Sequence, residues 1–242
     1  MSGDGNRPRH AIIAALPREV TRLVRGVKRD AGWAKHGVWL YRLEKAVVAA
    51  AGMGAERAKV AVEAALSAGE IEILVSTGLA GGCRPGLAAG TVLEATWVVE
   101  AETGERFRTL GWKEPWASEV VLVTMARVAG VVQKAEMARR YGAAMVDMEA
   151  ASVARMAQER GLGFRAIKGI SDRSDVEMGS LEAFTGEKGS FRTGAFALHM
   201  ALRPREWRRA LALGRGSAKA LAGLEASLRE VLQGCHGAGM SG

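Results

Sequence analysis

The chain has 242 residues, 48% of them hydrophobic and 5% aromatic, with a formal net charge of +8. That content suits one large domain with its own core, and the abundance of Ala and Gly favours helices packed closely on a sheet. The two cysteines, Cys83 and Cys235, imply no disulfide framework and show no metal-site spacing, and no apolar run is long enough to cross a bilayer.

Residues 10–16 form a short apolar run that reads as a first strand. Pro17 follows, and because proline fits the first turn of a helix, Glu19 is expected at a strand-to-helix junction. Residues 38–43 and 46–51 read as a pair of strands, Gly52-Met53-Gly54 as a flexible turn, and residues 55–68 as an Ala-rich helix. Residues 71–77 are a β-branched run, as expected of a strand buried on both faces, ending in a glycine turn at 78–82. Strands are expected at 91–100 and 120–124, a helix at 133–141, a short strand at 144–148, a helix at 149–160 and a strand at 164–171. Residues 172–190 are rich in Gly, Ser and acids and suit a loop over a site. The remainder reads as helical, with a break near 214–217. Alternating strands and helices predict an α/β, three-layer αβα sandwich around a mixed, mostly parallel sheet. The division expected is a main domain at 1–203 and a basic helical extension at 204–242.

Positive charge gathers towards both ends, with Arg7, Arg9, Arg18, Arg22, Arg25, Lys28 and Arg29 in front and Arg203, Arg205, Arg208, Arg209, Arg215 and Lys219 behind. No zinc finger, helix-turn-helix or interleaving of aromatic and basic residues accompanies it, so a solvated surface is favoured over a nucleic-acid partner. The first residues carry no apolar segment of the signal-peptide kind, and a cytoplasmic protein is expected.

Three acids fall at the ends of predicted strands: Glu19, Glu149 and Asp172. Strand ends of open α/β sheets gather at a common edge where ligands bind. Carboxylates brought together there raise one another's affinity for protons, which is what a general acid requires. Each acid alone is also an ordinary helix-start residue, so the chemistry rests on the three occurring together with the glycine segments.

Five segments carry a resemblance: Ala15-Leu16-Pro17-Arg18-Glu19-Val20, Gly52-Met53-Gly54, Ser76-Thr77-Gly78-Leu79-Ala80-Gly81-Gly82, Val146-Asp147-Met148-Glu149-Ala150-Ala151 and Ile170-Ser171-Asp172. Over roughly residues 10–200 the chain resembles the purine nucleoside phosphorylase and methylthioadenosine/S-adenosylhomocysteine nucleosidase superfamily. The resemblance implies cleavage of a purine N-glycosidic bond. It places Glu19 on an attacking water, Glu149 with Met148 on the ribose, and Asp172, supported by Ser171, at N7 of the base. Thr77, Gly78 and Leu79 would line the substrate site, and Val128 stands where nucleosidases carry a base-stacking Phe, with Phe184 the candidate replacement ring.

Water is expected over phosphate as the nucleophile, because phosphorylases of this superfamily tend to carry a Gly-Asp-Pro-type segment with an Arg where this chain has Leu16-Pro17-Arg18-Glu19. Gly54, Arg57 and Lys168 are the candidate contacts for an anion if inorganic phosphate is the co-substrate. No metal or other cofactor is expected. The resemblance implies a homo-oligomer, dimer or hexamer. Two other readings stand beside hydrolysis, a phosphorylase and a nucleoside-binding module without catalysis. In the C-terminal extension Leu221, Leu224, Leu228 and Val231 repeat at helical spacing. That stripe predicts a helix packed on the body or a neighbouring subunit, or a peripheral membrane helix. The tail resembles that of the hopanoid-associated phosphorylases, which implies adenosine linked to a hopanoid as an alternative substrate.

Overall fold

The computed structural model describes residues 10–111, 119–177 and 207–233, with side chains of the last segment from 214 onward. Eleven strands form one mixed sheet: β1 His10–Ala14, β2 Arg29–Asp30, β3 Trp39–Arg42, β4 Ala46–Ala50, β5 Ile73–Gly82, β6 Val92–Glu94, β7 Trp97–Glu100, β8 Arg106–Arg108, β9 Val121–Thr124, β10 Ala143–Asp147 and β11 Gly163–Asp172. Among the described residues the α-helices are α1 Ala55–Leu66, α2 Val131–Tyr141, α3 Ala150–Glu159 and α4 Trp207–Gln233. The strand order is β2-β3-β4-β1-β5-β10-β9-β7-β8, with β11 on β5 and β6 on β11.

Residues alternate between two cores along β1. Ala11 and Ile13 face α1 and α3, whereas Ile12 and Ala14 face Val20, Leu23, Leu224 and Leu228. This two-residue period is the signature of a strand covered on both sides, and it produces the three layers expected. Farther along the sheet, Met137 of α2 packs on Val99, Val121, Val123 and Val146. Parallel pairing joins β1 to β4 and β5, β5 to β11, β9 to β10 and β7 to β9. Antiparallel pairing supplies the edges and a short contact of Gly81 and Gly82 with Val146 and Met145.

β5 is the branch point. It pairs with β1 through Ile73–Ser76 and with β11 from Ile73 to Gly81, then meets β10 at Gly81 and Gly82. The glycine segment expected as a turn is therefore strand. Its glycines serve close approach: Gly78 has φ +120, and a Cβ there would lie 2.8 Å from a carboxylate oxygen of Glu19.

Other elements also depart from expectation. Pro17–Glu19 is a single 3-10 turn followed by further turns rather than a helix. The stretch read as one strand at 91–100 changes partner midway, β6 lying on β11 and β7 on β9. The two short strands β2 and β8 were not anticipated, being too brief for a period to register. No break occurs near 214–217, because α4 is continuous through Gly214 and Gly216. A Cβ at Gly216 would sit 2.9 Å from both Ala89 Cβ and the Ser171 carbonyl oxygen, so this glycine lets the helix approach the sheet. Ala220, Leu224 and Leu228 are buried there, with Leu221 and Val231 partly buried beside them. The leucine stripe thus meets the body of the protein rather than presenting itself to a bilayer. Among the described residues no helix is long and apolar enough to cross a membrane.

Candidate active site

Glu19 sits just beyond β1, in the 3-10 turn that Pro17 starts. One carboxylate oxygen accepts the backbone N–H groups of Ala15 (3.0 Å) and Leu16 (2.9 Å), and the other accepts that of Leu79 (3.2 Å). A carboxylate held by three N–H groups is fixed in position by charge-assisted hydrogen bonds. The bare Cα of Gly78 is what lets β5 run this close to it.

Glu149 is the residue immediately before α3. Its carboxylate reaches across the sheet edge to the N–H of Gly54 at 2.8 Å and also accepts the N–H of Met148 at 3.3 Å. Burial pushes its carboxyl up from an ordinary value of 4.5 to about 7, and Asp147 and Glu19 add to the rise, while Lys168 and the Gly54 hydrogen bond oppose it. The mutual influence of Glu149, Glu19 and Lys168 places these groups in one electrostatic neighbourhood.

Lys168 underlies that neighbourhood. Its ammonium pairs with Asp147 at 2.9 Å and donates to the Thr77 carbonyl at 3.1 Å, both ionic side chains being almost fully buried. Burial alone would lower its proton affinity, but Asp147 and Glu149 outweigh it and the net shift is upward. Asp147 also accepts the Thr124 hydroxyl (2.7 Å) and the Ala150 N–H (3.0 Å), so the buried carboxylate is well satisfied.

Asp172 ends β11, where a register shift after Ile170 brings it opposite Gly81. It is 3% exposed and forms an ion pair with Lys134 of α2, and the Ser171 hydroxyl contacts its other oxygen. Ser171 Oγ also lies 3.1 Å from the Ala80 carbonyl.

The expected residues therefore form two clusters along β5. Glu19, Glu149, Met148, Gly54, Gly78 and Leu79 stand with Thr77 and Lys168 around its middle, and Ser171 and Asp172 stand at its end. Val128 lies in the loop between β9 and α2 and is partly buried. Phe184 lies outside the described residues. The three candidate anion contacts are all engaged by protein groups: Gly54 by Glu149, Lys168 by Asp147, and Arg57 by the carbonyls of Ala51 (2.6 Å) and His36 (2.8 Å).

Sequence reasoning missed Lys134 and did not see that Asp147 anchors Lys168. A signal existed for Lys134, since it shares the inward face of α2 with Met137 three positions on. The neighbouring Val132, which a reading of hydrophobic pattern would have buried, is 74% exposed.

The model of the phosphorylase superfamily matches residues 9–119 and 118–197. No curated protein matches the chain. Among solved structures, the methylthioadenosine/S-adenosylhomocysteine nucleosidase of Neisseria meningitidis, in complex with methylthio-immucillin-A, aligns with a TM-score of 0.68 at 18% identity, covering 93% of this chain and 99% of that one. The corresponding Helicobacter pylori nucleosidase, with butyl-thio-DADMe-Immucillin-A, gives 0.67 at 16% identity over 94% and 99%. The futalosine hydrolase of Helicobacter pylori gives 0.58 at 20% identity over 79% and 96%. At these identities the likeness is one of fold.

Proposed function

Because this chain belongs to the phosphorylase superfamily, we propose that it cleaves the N-glycosidic bond of a purine nucleoside with water as the nucleophile. The observation that carries this reading is the seat of Glu19. Three backbone N–H groups that could have cradled a phosphate oxygen are filled by the protein's own carboxylate. A fixed negative charge there repels a phosphate and suits a water, whose proton it can take. The engagement of Gly54, Arg57 and Lys168 by protein groups points the same way.

In this reading the sugar lies between Glu19 and Glu149, and the base extends along β5 towards Asp172. As the bond to the base breaks, the sugar becomes oxocarbenium-like and the base gathers negative charge. Carboxylates beside the sugar stabilise the first, and a proton at N7, held against Asp172, neutralises the second. Glu149 faces the ribose hydroxyls. With its carboxyl raised to about 7 it can donate as well as accept a hydrogen bond near neutral pH.

The test incubates the protein with adenosine, methylthioadenosine and inosine, with and without phosphate, and identifies the sugar product. A free reducing sugar formed without phosphate is the expected result. Ribose 1-phosphate formed only with phosphate would replace hydrolysis by phosphorolysis, and ligand binding without turnover of any of the three would leave a binding module. Glu19→Gln should lower kcat by about 100- to 10,000-fold, the usual span for loss of a general base, while leaving nucleoside binding nearly intact.

A further inference from the structure

Among the described residues two lysines are almost fully buried, Lys168 and Lys134. Lys168 belongs to the sugar-end cluster already described. Lys134 enters from α2, and its ammonium meets Asp172, the Arg173 carbonyl at 3.1 Å and the Val176 carbonyl at 3.0 Å. All of its donors thus point into one segment, residues 172–176, that begins with the group expected at the base. The same helix also grips the residue that follows this segment, where the Val131 N–H donates to Glu177 at 3.2 Å.

The other groups near the pair are neutral or turned to different partners. Cys83, on the residue after β5, keeps its thiol proton: burial pushes it up to about 12, with Lys134 opposing and Asp172 reinforcing the shift. Ser171 offers a hydroxyl. Arg173 pairs with exposed Asp175, and the Glu177 carboxylate lies at the start of α2. Lys134 is therefore the cation that sits on Asp172 among the described residues. A buried ammonium is sustained only by an ionised partner, and the converse holds for the carboxylate.

We propose that Lys134 is a positioning residue for the group at the base. It keeps Asp172 ionised in the empty enzyme, so that the proton that ends on N7 of the purine is taken up from solvent as the nucleoside binds instead of being stored on the carboxyl beforehand. This rests on the reading above that Asp172 meets the base. It adds that the pair of α2 and the 172–177 segment, rather than Asp172 alone, sets the charge waiting for the substrate.

The charge can be read directly. With aspartate carboxyl carbons labelled with carbon-13 and the signal assigned through its loss in Asp172→Asn, wild type at neutral pH should show Asp172 at the ionised position. Lys134→Met should move that signal to the protonated position, because a buried carboxylate without its cation takes up a proton. Lys134→Arg should return it. Calorimetry of adenosine binding to Glu19→Gln, in which turnover is slow, in buffers of different ionisation heat should show proton uptake, and adding Lys134→Met should clearly reduce it. A protonated Asp172 in wild type, a measurement that needs no variant to fold, would overturn the proposal. So would an unshifted signal in a folded Lys134→Met. The nucleoside assays decide separately: an ionised Asp172 in a protein that cleaves no nucleoside would sink the catalytic reading and leave the role of Lys134 in place.

Discussion

At the scale of single residues, the candidate site is a set of carboxylates held in different ways. Glu19 is held by backbone N–H groups, Asp172 by an ammonium, and Glu149 by the Gly54 N–H in a partly buried setting whose desolvation raises its affinity for a proton. Glu149 binds its proton more tightly in the folded chain than in the unfolded one. Its contribution to stability is therefore complete below pH 4.5 and is lost as the pH rises through about 7. Urea midpoints measured across that window should fall with rising pH in wild type, and Glu149→Gln should flatten that part of the curve; equal slopes in both proteins would refute the assignment. The acids were legible in the sequence because each follows a strand, within a motif of fixed order. Their partners were not. Lys134 is 38 residues from Asp172, and Lys168 is 21 from Asp147, separations over which no local periodicity carries information.

At the scale of elements, the same limit explains what the sequence hid. The strand pattern of 71–77 was readable, yet the glycines that follow it looked like a turn because glycine is the usual turn residue. Here they serve an opposite need: a continuous strand packed on Glu19, Lys134 and Asp172 with almost no room for side chains. Gly216 misled in the same manner, being a contact point of α4 rather than its end. The ion pair of Asp147 and Lys168 ties β10 to β11 across β5, with a hydrogen bond to the Thr77 carbonyl on the way. Lys168→Met should destabilise the protein by about 3–5 kcal/mol in urea unfolding, the cost of leaving a buried charge uncompensated. Adding Asp147→Asn should recover part of that loss, since the orphaned charge is then removed; purely additive losses in the double variant would argue against the pair.

At the scale of the whole molecule, the family match ends at residue 197, yet the fold beyond it is needed to cover one face of the sheet. Leu224 and Leu228 of α4 share a core with Ile12, Val48, Val75 and Ile167. A chain truncated before Trp207 should lose cooperative thermal unfolding and bind hydrophobic dyes, whereas a sharp melt near that of the intact chain would show that α4 is dispensable. β5, which lies in the middle of this architecture, meets groups of the candidate site at each of five successive positions. Thr77 meets Lys168, Gly78 and Leu79 meet Glu19, Ala80 meets Ser171, and Gly81 lies against Lys134 and Asp172. That strand works as a measuring rod. At about 3.3 Å per residue, its Gly78-to-Gly81 interval spans about 10 Å. Nothing can be inserted into that interval without pulling the two ends of the site out of step. Under the proposed reading, any enlargement of a nucleoside held there would have to project past the rod's extremities, leaving the graduations between them untouched.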